Sequence, residues 1–553
     1  MAERRGREVL LEVLADEGVH HIFGNPGTTE LPLMDELAAR PDFQYILALQ
    51  ENTAVGMADG YAQATGRPAF VNLHTSSGMG GGMGNLTNAA ANRTPLVVTA
   101  GQQDQRHLVA DPLLAGDLVA MARPVSKWQH EVRSLAELGV VTRRAFADAA
   151  KPPTGPVFVS IPMDVLDSSG EVDVPARSTV AGTPVADPSG LAECARLLTD
   201  VAPDDVALIV TEEVAASGAL DEVRWLAEAL GCPVHGAALY SALPFPTDHP
   251  LWQGPLAPAA AVAREVLSRY RRVFQLGGQA GFVYPYTPGP AIPPDVDLLH
   301  LSADAGLVGR TYPTRLGLVG DIRTSVAALV PLVAARVDQA AAAAALGRRS
   351  ADAAASTESF ETTATGRYDA VPMHPMAAVH ALLQALPTGG VVVDEAITTG
   401  TYVRGLHRTS SPGSYYFCRG GGLGWGMPAS LGVKLARPDR PVLCVVGDGA
   451  AMYAIQSLWT AAHSGIPVVF AVVNNRQYRI LRDNLAGSGG QSARTGRFVA
   501  MDLDDPPVDY VSLAAGFGVS GALVEKATDV VDATAAAFES GRPWLMELPI
   551  QGG

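Results

Sequence analysis

Short, uninterrupted apolar runs recur along the chain, and between them apolar residues fall at every third or fourth position. A continuous run reads as a strand buried on both faces of a parallel sheet, and the second pattern as an amphipathic helix. The predicted strands form three groups. The first holds His20–Phe23, Tyr45–Leu49, Pro68–Leu73, Leu96–Ala100 and Gly155–Ile161. The second holds Val206–Val210, Val234–Gly236, Val273–Leu276 and Leu298–Leu301, and the third Val391–Asp394, Val442–Val446 and Val468–Val473. Helical spacing covers residues 8–18, 52–64 and the stretch through Tyr453, Ile455, Leu458, Trp459 and Ala462. Strands alternating with helices predict an α/β protein of doubly wound parallel sheets.

Between the groups the pattern lapses. Pro, Ser, Thr and Asp crowd residues 168–189, and Ala340–Ala345 lead into a polar stretch. The expected domains are therefore 1–170, 188–337 and 369–553, with 338–368 a helix tail and exposed linker. A length of 553 residues agrees with about three domains of roughly 150.

Composition narrows the possibilities. A net charge of −16 disfavours nucleic acid as a partner, since phosphate neutralisation needs a basic face. Cys194, Cys232, Cys418 and Cys444 show no CxxC spacing and are expected to be reduced thiols of a cytoplasmic protein. The charged N-terminus reads as leading into an amphipathic helix, not as a signal peptide, and no apolar run is long enough to span a membrane. His20 and His21 face opposite sides of a strand and cannot chelate one metal together. The middle group lacks a G-x-G-x-x-G at a strand–helix junction, which disfavours a dinucleotide site and flavin.

The densest chemistry lies in the third group. Val442–Val446 ends at Gly447-Asp448-Gly449, and Val468–Val473 ends at Asn474-Asn475. Strand tips of open α/β sheets are where ligands bind. Asp448 and Asn475, 27 positions apart, offer the hard oxygens that magnesium prefers when it also holds phosphates. Gly447 and Gly449 let the backbone approach a diphosphate closely. In the first group, Gly24–Glu30 is a tight turn opening a helix, with Thr28 or Thr29 as its cap or with Thr28 as a functional hydroxyl. Glu51 starts a helix after a strand. His74 stands at a strand tip before the run Gly78–Gly84, which could cradle a ligand or pack against a neighbouring loop.

The Gly447–Asn475 arrangement resembles the thiamin diphosphate motif. With Phe23–Gly27, Leu47–Glu51, Thr99–Gln103, Gly413–Cys418 and Gly421–Gly424, the chain is similar nearly end to end to the thiamin diphosphate-dependent decarboxylase and acetohydroxyacid synthase superfamily. Within it the chain looks most like the benzoylformate decarboxylases. The resemblance implies pyrimidine-binding, central and diphosphate-binding domains. It implies magnesium held by Asp448, Asn475 and the carbonyl of Gln477, and cofactor contacts from Gly421, Leu423, Gly447, Gly449 and Tyr478. Glu51 would hydrogen-bond N1′ of the aminopyrimidine, Leu423 would prop the bent cofactor, and His74 would handle protons. A serine of the benzoylformate enzymes is Thr28 here, and their second histidine falls at Tyr284, a donor at neutral pH because tyrosine titrates near ~10. The implied activity is decarboxylation of an aromatic or branched 2-oxo acid to an aldehyde. The alternative is a carboligase or 2-hydroxyacyl lyase with the same cofactor. The implied assembly places each site across a dimer interface, within a dimer of dimers.

Overall fold

The computed structural model describes residues 2–180 and 182–552. Three parallel sheets carry the fold. The N-terminal sheet orders its strands Gln44–Leu47, His21–Gly24, Ala69–Leu73, Leu96–Gln102, Val157–Pro162, Gln129–Glu131, all parallel. The central sheet runs Trp252–Pro255, Val234–Gly236, Val206–Val210, Arg272–Leu276, Asp297–Ser302, Leu316–Val319, again parallel. In the C-terminal sheet Val391–Glu395, Val442–Gly447, Val469–Asn474, Trp544–Pro549 and Ser520–Leu523 follow one another in parallel. The doubly wound α/β class read from the sequence holds. Four of the strands that sequence did not predict, Gln129–Glu131, Trp252–Pro255, Leu316–Val319 and Ser520–Leu523, are short strands at sheet edges, where one-sided pairing leaves no continuous apolar run. Trp544–Pro549, inside the C-terminal sheet, was not predicted either.

By contacts the chain forms two units. One comprises Met1–Thr179, Asp369–Gly400 and Cys418–Gly553 and contains the N- and C-terminal sheets; the other comprises Val180–Tyr368 and Thr401–Phe417 and contains the central sheet. Residues 338–368, expected as a helix tail and linker, are largely one helix, Gln339–Thr365, capped by the Asp338 carboxylate. Its alanines favour the helix while most of its surface stays in water. The helix expected through 453–462 forms only over Ser457–His463, and a separate short helix, Asp448–Met452, precedes it. Residues Ser169–Val172, expected within a linker, pair antiparallel with Ala2–Arg5. All four cysteines are buried free thiols, and burial pushes Cys194 and Cys232 up to about 12. Among the described residues no single helix is long and apolar enough to cross a membrane.

One helix crossing positions the first unit. Helix Glu51–Thr65 starts after Gln50, whose side chain accepts from the Thr53 N–H, and stops at left-handed Gly66. It meets helix Gly426–Ala436 at glycines from both sides. A Cβ on Gly60 would lie 2.1 Å from the Ala429 carbonyl oxygen, and one on Gly432 would lie 1.9 Å from that of Met57. The run Gly78–Gly84 belongs to a second neighbour, helix Thr75–Asn92. It forms no loop around a ligand. Its glycines let that helix lie against Glu51, Asn52 and Val55.

Opposite effects are expected at two glycines. Gly432→Ala should lower stability by about 2 kcal/mol or more, because backbone stands where the methyl would go. Gly347→Ala, in the exposed helix with open space around it, should raise it by roughly 0.5–1 kcal/mol. Thermal unfolding of both variants reads the difference, and an unshifted Gly432→Ala midpoint would contradict the close crossing.

Candidate active site

Two clusters of polar side chains stand at the C-terminal ends of strands in the first unit. In the N-terminal cluster, Glu51 Oε1 accepts from Asn25 Nδ2 at 3.2 Å. A Cβ on Gly78 would touch Glu51 Cγ at 3.5 Å and His74 Cβ at 3.6 Å, so both side chains flank that glycine. His74 Nδ1 lies 2.9 Å from Glu30 Oε2 and 3.1 Å from Thr29 Oγ1. Because the carboxylate only accepts, Nδ1 carries a proton and donates it toward Glu30. Glu30 is buried and also takes the N–H groups of Gly27 and Gly101 and the Thr29 hydroxyl. Next to His74, Thr75 adopts φ 47° with its buried hydroxyl unpartnered, a local strain of the kind that gathers at functional sites.

Of the two readings of Thr28, the cap is not formed and the exposed hydroxyl at the strand-to-helix turn stays open. Thr28 begins a 3-10 turn, Thr28–Glu30, and its side chain is exposed. The expected capping hydroxyl is replaced by the Glu30 carboxylate, which accepts the Gly27 N–H at 2.8 Å. The threonine that touches His74 is Thr29. Glu30 and Asn25 were not predicted as site residues. Glu30 carried a signal, an acid three positions after a glycine at a strand-to-helix turn.

The C-terminal cluster surrounds Asp448. Its side chain is buried, Oδ2 has no hydrogen-bond partner, and burial pushes its pKa up to about 6 against the backbone N–H groups of Gly449, Arg476 and Gln477. Tyr510 donates to the Asp448 carbonyl at 2.9 Å. Asn475 Oδ1 accepts the Gln477 N–H at 3.1 Å, and the Gln477 carbonyl accepts from Arg479 at 2.9 Å, which leaves each oxygen one lone pair. Tyr478 packs its ring on Gly449. Cβ atoms on Gly447 or on Gly421, which has φ +75°, would meet only open space. This donor set suits a divalent cation shared with a diphosphate: an orphaned carboxylate oxygen, two part-used oxygens and room for a ligand. Among the described residues no group of three or more His, Cys, Asp or Glu could hold a metal alone. One carboxylate here leaves coordination positions to phosphate and water.

Gly421 and half-buried Leu423 lie on the loop Gly420–Gly424. Asn88 brackets Gly422, accepting its N–H at 3.0 Å and donating to its carbonyl at 2.9 Å. Beyond the loop, buried Glu395 accepts the N–H groups of Gly424, Trp425 and Gly426, and burial raises it to about 7. Tyr284 belongs to the second unit. It lies in the stretch Gly281–Gly289, its N–H donates to Pro258, and its side chain is 58% exposed.

Family profiles match the chain in three places. Residues 4–121 match the thiamine pyrophosphate enzyme N-terminal TPP binding domain, 192–329 the central domain and 398–548 the C-terminal TPP binding domain. A benzoylformate decarboxylase of Pseudomonas aeruginosa is 34% identical over 98% of both chains. An acetolactate synthase large subunit of Parasynechococcus marenigrum is 26% identical over 99% of this chain and 88% of its own. The solved structure of a thiamine diphosphate-dependent 4-hydroxybenzoylformate decarboxylase from Rhodococcus jostii superposes with a TM-score of 0.87, at 30% identity over 99% of each chain.

A cation at Asp448 competes with a proton. Its affinity should be flat above pH ~7 and fall by roughly tenfold per unit once the pH drops below about 6. Calorimetric titration of magnesium with a diphosphate ligand across that range measures this. A flat profile would remove Asp448 from the ligand set.

Proposed function

Because the chain belongs to the thiamine pyrophosphate enzyme family, we propose that it decarboxylates an aromatic or branched 2-oxo acid, with benzoylformate the first candidate. The observation that carries this reading is the end-to-end likeness to a benzoylformate decarboxylase, supported by an imidazole poised on Glu30 beside Glu51. When bound, thiamin diphosphate would supply the electron sink that loss of carbon dioxide requires. Asp448, Asn475 and the Gln477 carbonyl would hold magnesium against its diphosphate, with Gly447, Gly449 and Tyr478 lining the space. Glu51 would accept from N1′ of the aminopyrimidine, in a site completed by a second copy of the chain. Gly421 would offer its carbonyl to the 4′-amino group and Leu423 would hold the two rings bent. His74 would move protons at Nε2, its ring fixed by Glu30. Four buried free thiols support a reducing, cytoplasmic setting.

The second reading is a carboligase or 2-hydroxyacyl lyase, in which a second carbonyl takes the place of the final proton. It is favoured by the acetolactate synthase relative and by the exposed phenol at Tyr284.

Two substitutions test these roles. Glu51→Gln should keep thiamin diphosphate bound while slowing hydrogen–deuterium exchange at its C2 by at least about two powers of ten; wild-type exchange would clear Glu51 of the role. Tyr284→His, assayed with benzoylformate, should raise decarboxylation if a second imidazole is what this substrate needs, by roughly two to four powers of ten at most. No gain, together with weak wild-type turnover of every simple 2-oxo acid, would favour the carboligase.

A further inference from the structure

We propose that Asp59 is a positioning residue for the loop Gly420–Gly424, acting through the indole of Trp425; the inference rests on the reading that Gly421 and Leu423 of this loop bear on thiamin diphosphate. Asp59 and Trp425 are both fully buried, at 0% exposure. Asp59 Oδ2 accepts the indole N–H at 2.7 Å across 366 positions of sequence. Its other oxygen accepts from Gln63 at 2.9 Å and from Thr94 at 2.5 Å. Burial disfavours the charged form and raises its pKa. A buried acid is a weak device for stability, since an apolar replacement of similar shape often does as well. What such a cluster does offer is geometry.

The geometry converges on the segment that follows Leu423. Asp59 grips the indole of Trp425, while Glu395 takes the backbone N–H groups of Gly424, Trp425 and Gly426 at 2.7, 3.0 and 2.8 Å. Asn85 and Asn88 donate to the carbonyls of Gly424 and Gly422 at 3.1 and 2.9 Å. The loop's backbone is thus held on both sides of Leu423, from both domains of the first unit. Asp59 also lies on helix Glu51–Thr65, about two turns beyond Glu51. One rigid helix therefore carries both the acid at its start and the anchor of the loop.

Asp59→Asn keeps the shape but leaves a single acceptor oxygen for three donors. Trp425→Phe removes the N–H while keeping an aromatic ring. At saturating thiamin diphosphate, C2 hydrogen exchange per bound cofactor should fall at least about tenfold in each variant, as expected for a displacement of under an ångström. The double variant should be no slower than the slower single one, because both remove the same link. The KM for benzoylformate should stay within about twofold, since the loop bears on cofactor and not on substrate. Counting exchange per bound cofactor sets aside any loss of folded protein. Wild-type exchange rates in the variants, or effects that multiply, would overturn the proposal. If Asp59→Asn does not fold, Trp425→Phe alone decides it by the same rate. A wild-type protein that binds no thiamin diphosphate would instead sink the cofactor reading itself.

Discussion

The first unit depends on a crossing where two helices touch backbone to backbone. Gly60 and Gly432 stand where any side chain would drive into the opposite helix, and Gly56 does the same against Pro428 and Asn85. Close approach without side chains trades hydrophobic area for precise placement, because interfaces of this kind have few alternative packings. Both helices begin at candidate site residues. Glu51 starts one, and the loop with Gly421 and Leu423 leads into the other. Fixing the crossing therefore fixes the directions from which these groups are presented.

Four buried carboxylates of this unit divide by how they are satisfied. Glu30 accepts from two backbone N–H groups, a hydroxyl and an imidazole. Glu395 accepts three backbone N–H groups, and Asp59 three side-chain donors. Each works as a joint, fixing His74, the start of helix Gly426–Ala436 or Trp425. Asp448 differs, since one of its oxygens is buried with no partner. An unmet carboxylate oxygen costs on the order of 1–3 kcal/mol, more when charged. A cation removes that cost, so the chemistry of the position asks for one.

The N-terminal cluster has a related economy of parts. The glycines of helix Thr75–Asn92 would weaken an isolated helix. Here they remove the side chains that would stand between this helix and Glu51, and Gly27 likewise sits flush against the His74 ring. The same residues that cost local stability admit two candidate site side chains to one small volume.

The α/β class, the three sheets and their principal strands were legible in the sequence, because burial on both faces of a parallel strand leaves a continuous apolar run. The gathering of Asp448 and Asn475 was legible too, because adjacent parallel strands bring their tips together. Edge strands other than Gln44–Leu47 were not, since pairing on one side demands no such run. Residues 338–368 read as a tail and linker because few large apolar side chains occur there, yet alanine propensity, the Asp338 cap and the pairs of Arg348 and Arg349 with Asp204 support the helix. Only the tertiary structure decided which threonine meets His74, Thr29 and not Thr28, because a 3-10 turn points neighbouring side chains about a third of a turn apart. It alone joined Asp59 to Trp425, and it alone gave the glycine run its purpose. Local periodicity reports which face of an element is buried; which partner is met there, hundreds of positions away, is settled by packing.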